Sequence, residues 1–321
     1  MEKIVCVAGP TASGKTKLAV ELAKAYDGEV LSCDSMQIYR GMAIGTAAPT
    51  PEEMQGVVHH MIGVADPGED FSVGKYVELA EPVLQDILSR GKTCVVCGGT
   101  GLYADSLLLG RSFAPCPSTG MRETLEAEAR QSGIEPLLAR LKEVDPEAGA
   151  RLHPSDKRRI IRALEVYLET GETISEHNRK TKLLPPKHEA VWIGLSFENR
   201  QDLYDRIDLR VERMLQDGLL DEIRALLASG ISPAATAMQA IGYKEYVDCL
   251  TAGGDVHAAT ALVQQRSRNY AKRQLTWLRR NEQIHWILQP REPDFAAVFR
   301  QACAYIPFFA LEKWYYMGIQ K

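Results

Sequence analysis

The sequence predicts an α/β protein, a parallel sheet flanked by helices, with a mostly helical unit inserted into it. Three observations carry that expectation. Short apolar runs end in small or polar residues, as buried parallel strands do at their ligand-binding ends. The first run opens directly into a phosphate-binding loop. A charge-rich, helically patterned stretch bounded by prolines then interrupts the series.

The first strand is Ile4-Val-Cys-Val-Ala8, and Gly9-Pro-Thr-Ala-Ser-Gly-Lys-Thr16 follows it. This is the pattern G-x-x-x-x-G-K-[ST] in its expected setting of strand, loop and helix, the helix running from Thr16 to about Ala25. Gly9, Thr11, Ala12, Ser13 and Gly14 offer backbone N–H groups to an anion, Lys15 adds a mobile positive charge, and Thr16 supplies a hydroxyl for Mg²⁺. The core is therefore P-loop NTPase-like, and a phosphate or diphosphate is its expected ligand.

The second run, Glu29-Val-Leu-Ser-Cys33, ends in Asp34-Ser-Met-Gln37. A helix from Val73 to Ser89 leads to the third, Thr93 to Cys97, which ends in Gly98-Gly-Thr-Gly101. A fourth, Ala190-Val-Trp-Ile-Gly-Leu195, comes much later. Strand ends of one sheet converge, so Lys15, Asp34 and Thr100 are expected in one crevice.

Residues 1–115 together with 189–321 form the expected core, and 116–188 the helical insertion, with Pro115-Cys-Pro117 and Pro185-Pro186 as linkers. Within the insertion, Lys157-Arg-Arg-Ile-Ile-Arg162 opens a helix that turns Ile161, Leu164 and Leu168 inward and leaves Arg158, Arg159 and Arg162 to an anion. After it, one long amphipathic helix is expected from Asp202 to about Ser229. Leu203, Ile207, Val211, Met214 or Leu215, and Leu219 mark its buried face, and Gly230 its stop. Arg206, Arg210 and Arg213 ride on it. The aromatic-rich last twenty residues receive no role.

At 321 residues and 45% hydrophobic content the chain can bury a sizeable core. Its apolar runs fall far short of the 18 or so needed to cross a bilayer, and the start is too short for a signal-peptide core, so a cytoplasmic protein is expected. Seven scattered cysteines agree with a reducing compartment. Cys94 and Cys97 lie three apart in a strand and face opposite ways, which suits core filling rather than a metal or redox pair. The histidines show no ligand spacing, and His59-His60 is at most part of a site wall.

The net charge of −4 argues against nucleic acid, but the charge is unevenly spread. Residues 1–115 hold nine Lys/Arg against fourteen Asp/Glu, whereas Val256 to Asn281 has no acid and carries Arg266, Arg268, Lys272, Arg273, Arg279 and Arg280. With Tyr270 and Trp277 interleaved, this segment suits either a phosphate-tracking surface with stacking rings or a solvated helix face.

A phosphate loop by itself also fits a nucleotide or small-molecule kinase. Such enzymes usually carry an Mg²⁺-organising Asp at the end of another strand. Here the third strand ends in Gly-Gly-Thr-Gly, although Asp34 could serve. An RNA-binding protein with a nucleotide switch is a further reading.

Seven segments in order narrow these choices. Gly9–Thr16, Asp34-Ser-Met-Gln-Ile-Tyr-Arg-Gly-Met42, Gly45-Thr46-Ala47, Gly98-Gly-Thr-Gly-Leu-Tyr103, Arg158-Arg-Ile-Ile-Arg-Ala-Leu-Glu165, Ala240-Ile-Gly-Tyr-Lys-Glu245 and Lys272-Arg-Gln-Leu-Thr-Trp-Leu-Arg279 together resemble the tRNA dimethylallyltransferases, also called tRNA isopentenyltransferases. The resemblance spans roughly residues 3 to 290. Ala43 and Ala48 depart from it, standing where Asp and Lys are common. The resemblance implies transfer of a five-carbon prenyl group from dimethylallyl diphosphate to the exocyclic N6 of the adenosine 3′ to the anticodon (position 37), in tRNAs reading codons that begin with U. The expected products are N6-isopentenyladenosine and diphosphate. Mg²⁺ is the implied cofactor and a monomer the expected state. A relative that prenylates free AMP fits less well, since a mononucleotide needs neither the insertion nor the basic segment.

The same resemblance implies roles for residues. Asp34 would orient the amine and accept its proton, Thr100 would donate to the leaving oxygen, and Arg210 would clamp the diphosphate. Asp34, Ser35, Met36, Gln37 and Thr100 would meet the target base. Contacts with the anticodon stem-loop are implied for Arg122, for Arg158, Arg159, Ile160, Ile161 and Arg162, and for Gln239, Ala240, Ile241, Gly242, Tyr243 and Lys244. The last implied segment is Lys272, Arg273, Gln274, Leu275, Thr276, Trp277, Leu278 and Arg279.

Overall fold

The computed structural model describes residues 2–110 and 119–307, without the side chain of Lys182. The Pro115–Pro117 linker and the aromatic tail lie wholly or partly outside the described residues. In chain order the first elements are β1 (Ile4–Ala8), α1 (Lys15–Ala25), β2 (Gly28–Ser32), α2 (Ala43–Thr46), α3 (Pro51–Met54), β3 (His59–His60), α4 (Val73–Ser89), β4 (Thr93–Gly98) and α5 (Gly101–Leu108). Five helices follow: α6 (Met121–Ser132), α7 (Glu135–Val144), α8 (Pro146–Arg151), α9 (Lys157–Thr170) and α10 (Ile174–Lys182). The remainder is β5 (Ala190–Phe197), α11 (Arg200–Gln216), α12 (Leu219–Ala228), a 3₁₀ turn (Ala237–Gln239), α13 (Tyr243–Ala252), α14 (Val256–Leu278), β6 (Ile284–Gln289) and α15 (Phe295–Ala304).

The six strands form one sheet in the order β3-β2-β4-β1-β5-β6, and every pair is parallel. All five residues of β1 are buried, as expected for an apolar run covered on both faces. Ala8 pairs with Gly98 and Gly194, and Ser32 with Cys97, so the loops after β1, β2 and β4 leave the sheet side by side. Leu18, Leu22, Val95, Ile193 and Ile287 lie in the core between α1, α15 and this sheet.

The chain divides into two compact units, Met1–Leu108 with Lys187–Lys321, and Leu109–Pro186. The core resumes at Lys187, two residues before the expected 189, because His188 is buried in the first unit between the carboxylates of Glu2 and Glu81. The second unit is all-helical among its described residues, and Leu125, Leu137, Leu141, Ile160 and Leu164 form its core.

The long helix expected from Asp202 to Ser229 is two helices. Gly218 adopts φ +99° between α11 and α12, a left-handed turn that residues with a Cβ rarely take. The apolar period continues across the break, which is why sequence pattern alone joins the two. Both β6 and α15 lie beyond the strands that the sequence indicates. Among the described residues no helix is long and apolar enough to cross a membrane.

Candidate active site

A cleft of roughly 350 Å³ opens at the carboxyl ends of β1, β2 and β4. Its lining includes Thr11, Lys15 and Thr16 of the phosphate loop, Asp34 to Gln37 after β2, and Gly98 and Gly99 after β4. Gly9 is required by close approach, since a Cβ there would stand 2.5 Å from the Leu195 carbonyl oxygen. Ala12 takes the left-handed conformation at φ +63°, a strained state for a residue with a side chain. Helix α1 begins with no side-chain cap, and its first N–H groups have no intrahelical partner, the arrangement that receives anions. Lys15 Nζ donates to the Pro10 carbonyl at 2.6 Å. Burial lowers its pKa to about 8, and the nearby Arg210 pushes the same way.

Side chains from distant elements hold the loop from outside. Arg210 Nη1 donates to Thr11 Oγ1 at 3.3 Å, and Arg206 Nε to the Ala12 carbonyl at 3.2 Å. Gln289 of β6 donates to the Ser13 carbonyl at 3.0 Å. Gln274 of α14 accepts the Thr11 N–H at 2.9 Å and donates to the Gly99 carbonyl at 3.0 Å. Of the four arginines on α11, Arg210 alone lines the cleft, and Arg213 is exposed.

Asp34 Oδ1 accepts the Met36 N–H at 2.8 Å, which turns the chain into the Asp34–Gln37 segment. Thr100 Oγ1 accepts the Ser35 N–H at 3.2 Å, so Thr100 reaches the cleft through Ser35 rather than among its lining residues. Gln37 is satisfied within the protein: Ser32 donates to its Oε1, and its Nε2 donates to the Ala47 carbonyl at 3.0 Å.

Glu222 of α12 has no signal in the sequence beyond that of a polar residue on an amphipathic helix. It accepts the N–H groups of Ile44 and Gly45 at 2.8 and 3.1 Å, and the Tyr243 hydroxyl at 2.6 Å. Burial first, and then this carboxylate, push the Tyr243 phenol far above its ordinary pKa. A Cβ on Gly45 would stand 2.5 Å from the Tyr243 ring, so Gly45 admits the tyrosine beneath the cleft wall.

The segments implied for tRNA separate into exposed and buried members. Lys244, Lys272, Arg273, Thr276 and Arg279 are exposed, as are Arg158 and Arg159. Gln239, Ala240, Ile241 and Gly242 line the cleft, as does Arg273. Ile160, Ile161, Tyr243 and Leu278 are core side chains, which corrects the expectation that they touch RNA. Leu275 packs against the cluster of Phe197, Leu203, Ile207 and Ala271, and Trp277 donates to Asp105 at 2.9 Å. Arg122 and Arg162 both donate to Glu165, so Arg162 is engaged by its own helix rather than left to an anion. Two cations of the acid-free segment are matched across space: Arg266 pairs with buried Glu245, and Arg268 with Asp208.

A family model described as IPP transferase matches residues 37–281, and one described as isopentenyl transferase matches residues 2–62. The tRNA dimethylallyltransferase 1 of Pelobacter propionicus is 44% identical over 305 residues, covering 95% of this chain and 98% of that protein. The chain belongs to the IPP transferase family. The tRNA dimethylallyltransferase of Geobacter sulfurreducens, another relative, is 46% identical over 292 residues, 91% of this chain and 94% of that one. Among solved structures, the full-length tRNA isopentenylpyrophosphate transferase of Bacillus halodurans matches with TM-score 0.70 and 40% identity, over 95% of each chain. A eukaryotic dimethylallyltransferase acting on tRNA matches with TM-score 0.78 and 28% identity, over 92% of this chain and 75% of that one. The IPP transferase fold of this chain is thus the P-loop NTPase-like sheet described above.

Proposed function

We propose that this chain transfers a dimethylallyl group from dimethylallyl diphosphate to N6 of adenosine 37 in tRNAs reading codons that begin with U, releasing diphosphate. The observation that supports it most is one cleft joining a phosphate loop, a carboxylate and an apolar wall. Lys15 and Arg210 stand at the loop, Asp34 lies opposite, and Ile207, Val211, Met214, Leu219 and Val263 supply the wall.

Those parts divide the reaction between them. Negative charge grows on the diphosphate as the carbon–oxygen bond breaks, and Lys15, Arg210 and the first N–H groups of α1 meet it. The apolar side chains shield the five-carbon chain from water. The adenine amine is a weak nucleophile because its lone pair is delocalised into the ring. Asp34 would orient it and take its proton on Oδ2, since Oδ1 is anchored by the Met36 N–H. The target base must leave its stack to reach this depth. Thr16 offers an oxygen donor suited to Mg²⁺, and the ion would add positive charge beside the leaving group. Exposed Lys272, Arg273 and Arg279 are suited to RNA phosphates.

The test incubates the protein with unmodified tRNA, Mg²⁺ and dimethylallyl diphosphate, followed by nucleoside mass spectrometry. A gain of one C5H8 unit on adenosine is expected with tRNA and not with AMP in its place. Phosphoryl transfer or hydrolysis with ATP, and no prenylated adenosine, would return the chain to the kinase reading.

A further inference from the structure

The amide of Gln274 joins the two loops that face the leaving group. Its Oε1 accepts the Thr11 N–H at 2.9 Å, and its Nε2 donates to the Gly99 carbonyl at 3.0 Å. Only 6% of the residue is exposed. Gly99 is shaped to receive it, because a Cβ there would stand 2.2 Å from Gln274 Nε2. On one side of this bridge, Thr11 also accepts from Arg210. On the other, Gly99 precedes Thr100, whose hydroxyl is held by the Ser35 N–H. The bridge spans 175 residues of sequence on one side and 263 on the other.

We infer that Gln274 is a positioning residue for the leaving-group site rather than an RNA contact: it sets the spacing between the phosphate loop and the Thr100 loop. The inference rests on the transferase reading for what leaves, but not for the presence of a diphosphate site. Each end of the amide is tied to a backbone group of one of the two loops, which fixes its plane between them and makes it a spacer even where it borders the cleft. The amide suits the task because it alone combines an acceptor and a donor at one planar end. A carboxylate would keep the Thr11 contact and set an anion against the Gly99 carbonyl. A methionine would keep the volume and lose both bonds.

Inorganic diphosphate with Mg²⁺ is the probe, titrated calorimetrically into the wild type, Gln274→Met, Thr100→Val and the double variant. Gln274→Met is expected to weaken diphosphate about tenfold, the loss of a pair of oriented hydrogen bonds. In the Thr100→Val background the same change should cost less, because Gln274 acts in part through that loop. Gln274→Glu, with a thermal melt matching the wild type, provides a second folded variant and should weaken diphosphate as well. In prenyl transfer, kcat should fall with the KM for tRNA unchanged. Unaltered diphosphate affinity in both Gln274 variants would overturn the inference, as would a fully additive cycle. A raised KM for tRNA with diphosphate binding intact would make Gln274 an RNA contact after all. Failure of the wild type to prenylate tRNA would count against the proposed function alone, since the diphosphate titration needs no turnover.

Discussion

Trp277 donates its indole N–H to Asp105 Oδ2 at 2.9 Å, joining α14 to α5 across 172 residues of sequence. The indole can lie there only because Gly101 has no side chain. A Cβ at Gly101 would stand 2.2 Å from Trp277 Cδ1. The last glycine of Gly98-Gly-Thr-Gly101 therefore serves helix packing, while the hydroxyl just before it serves the cleft.

Gly101→Ala should accordingly destabilise the protein by about 1–3 kcal/mol, the usual cost of overpacking a close contact. Denaturant unfolding would register a lower midpoint. A midpoint equal to the wild type would mean that the indole moves aside freely.

Asp34 carries two duties that a pair of variants separates. Asn keeps an oxygen for the Met36 N–H, whereas Ala removes it. Asp34→Asn should lower turnover by roughly 10²–10⁴-fold, the range for losing a general base, with diphosphate binding kept. Asp34→Ala should lose the same turnover and also loosen the Asp34–Gln37 turn. If Asp34→Asn abolishes diphosphate binding in a calorimetric titration, Asp34 acts by organising a metal ion instead.

Burial holds the Lys15 pKa at about 8, well below that of a free lysine. Bound diphosphate favours the charged ammonium, so binding takes up a proton once pH exceeds about 8. The affinity for dimethylallyl diphosphate should be steady below pH 7 and fall as pH rises through 8 and 9. Lys15→Arg, which stays protonated, should flatten that fall. An equal decline in both proteins would assign the titration to another group.

How much of this was legible in the sequence depends on the range of each signal. The strands β1, β4 and β5 are largely apolar runs because both faces of a parallel sheet are covered, and β2 is marked by its buried Val30-Leu31 pair. The edge strand β6, reading Ile-His-Trp-Ile-Leu-Gln, is buried only at Ile284, Ile287 and Gln289 and is interrupted by polar residues. The phosphate loop and the Asp34 turn were legible because their chemistry is local. Gln274, Gln289 and Glu222 were not, because each finds its partners across at least 178 or so residues on one contact, and a polar residue carries no mark of a distant acceptor. The acid-free stretch misleads for the same reason: its neutralising acids, Asp208 and Glu245, sit on other helices.

That pairing divides the cations of α14 and its C-terminal cap into two groups. Arg279→Ala should weaken tRNA binding and reduce the salt slope by about 0.7–0.9, if the residue neutralises one phosphate. Arg268→Ala removes the partner of Asp208 and should leave the slope nearer that of the wild type. Filter binding over a range of salt concentrations separates the two, and equal slopes for both variants would dissolve the distinction.

Glu222→Ala would leave the Tyr243 hydroxyl and two backbone N–H groups without their acceptor. The expected cost is about 1–3 kcal/mol for each donor that water cannot reach. Glu222→Gln, which retains an acceptor oxygen, should recover part of it. Equal stability of Glu222→Ala and the wild type would show that α2 stands without this contact.

The His188 N–H donates to the Leu108 carbonyl at 2.9 Å, so the chain leaves the core unit and re-enters it at a single hydrogen bond. The intervening segment is a closed excursion from the sheet's point of view. The point between Leu108 and Lys187 is thus a socket: the sheet that bears the chemistry is closed there by its own backbone, and the helical unit is plugged into it.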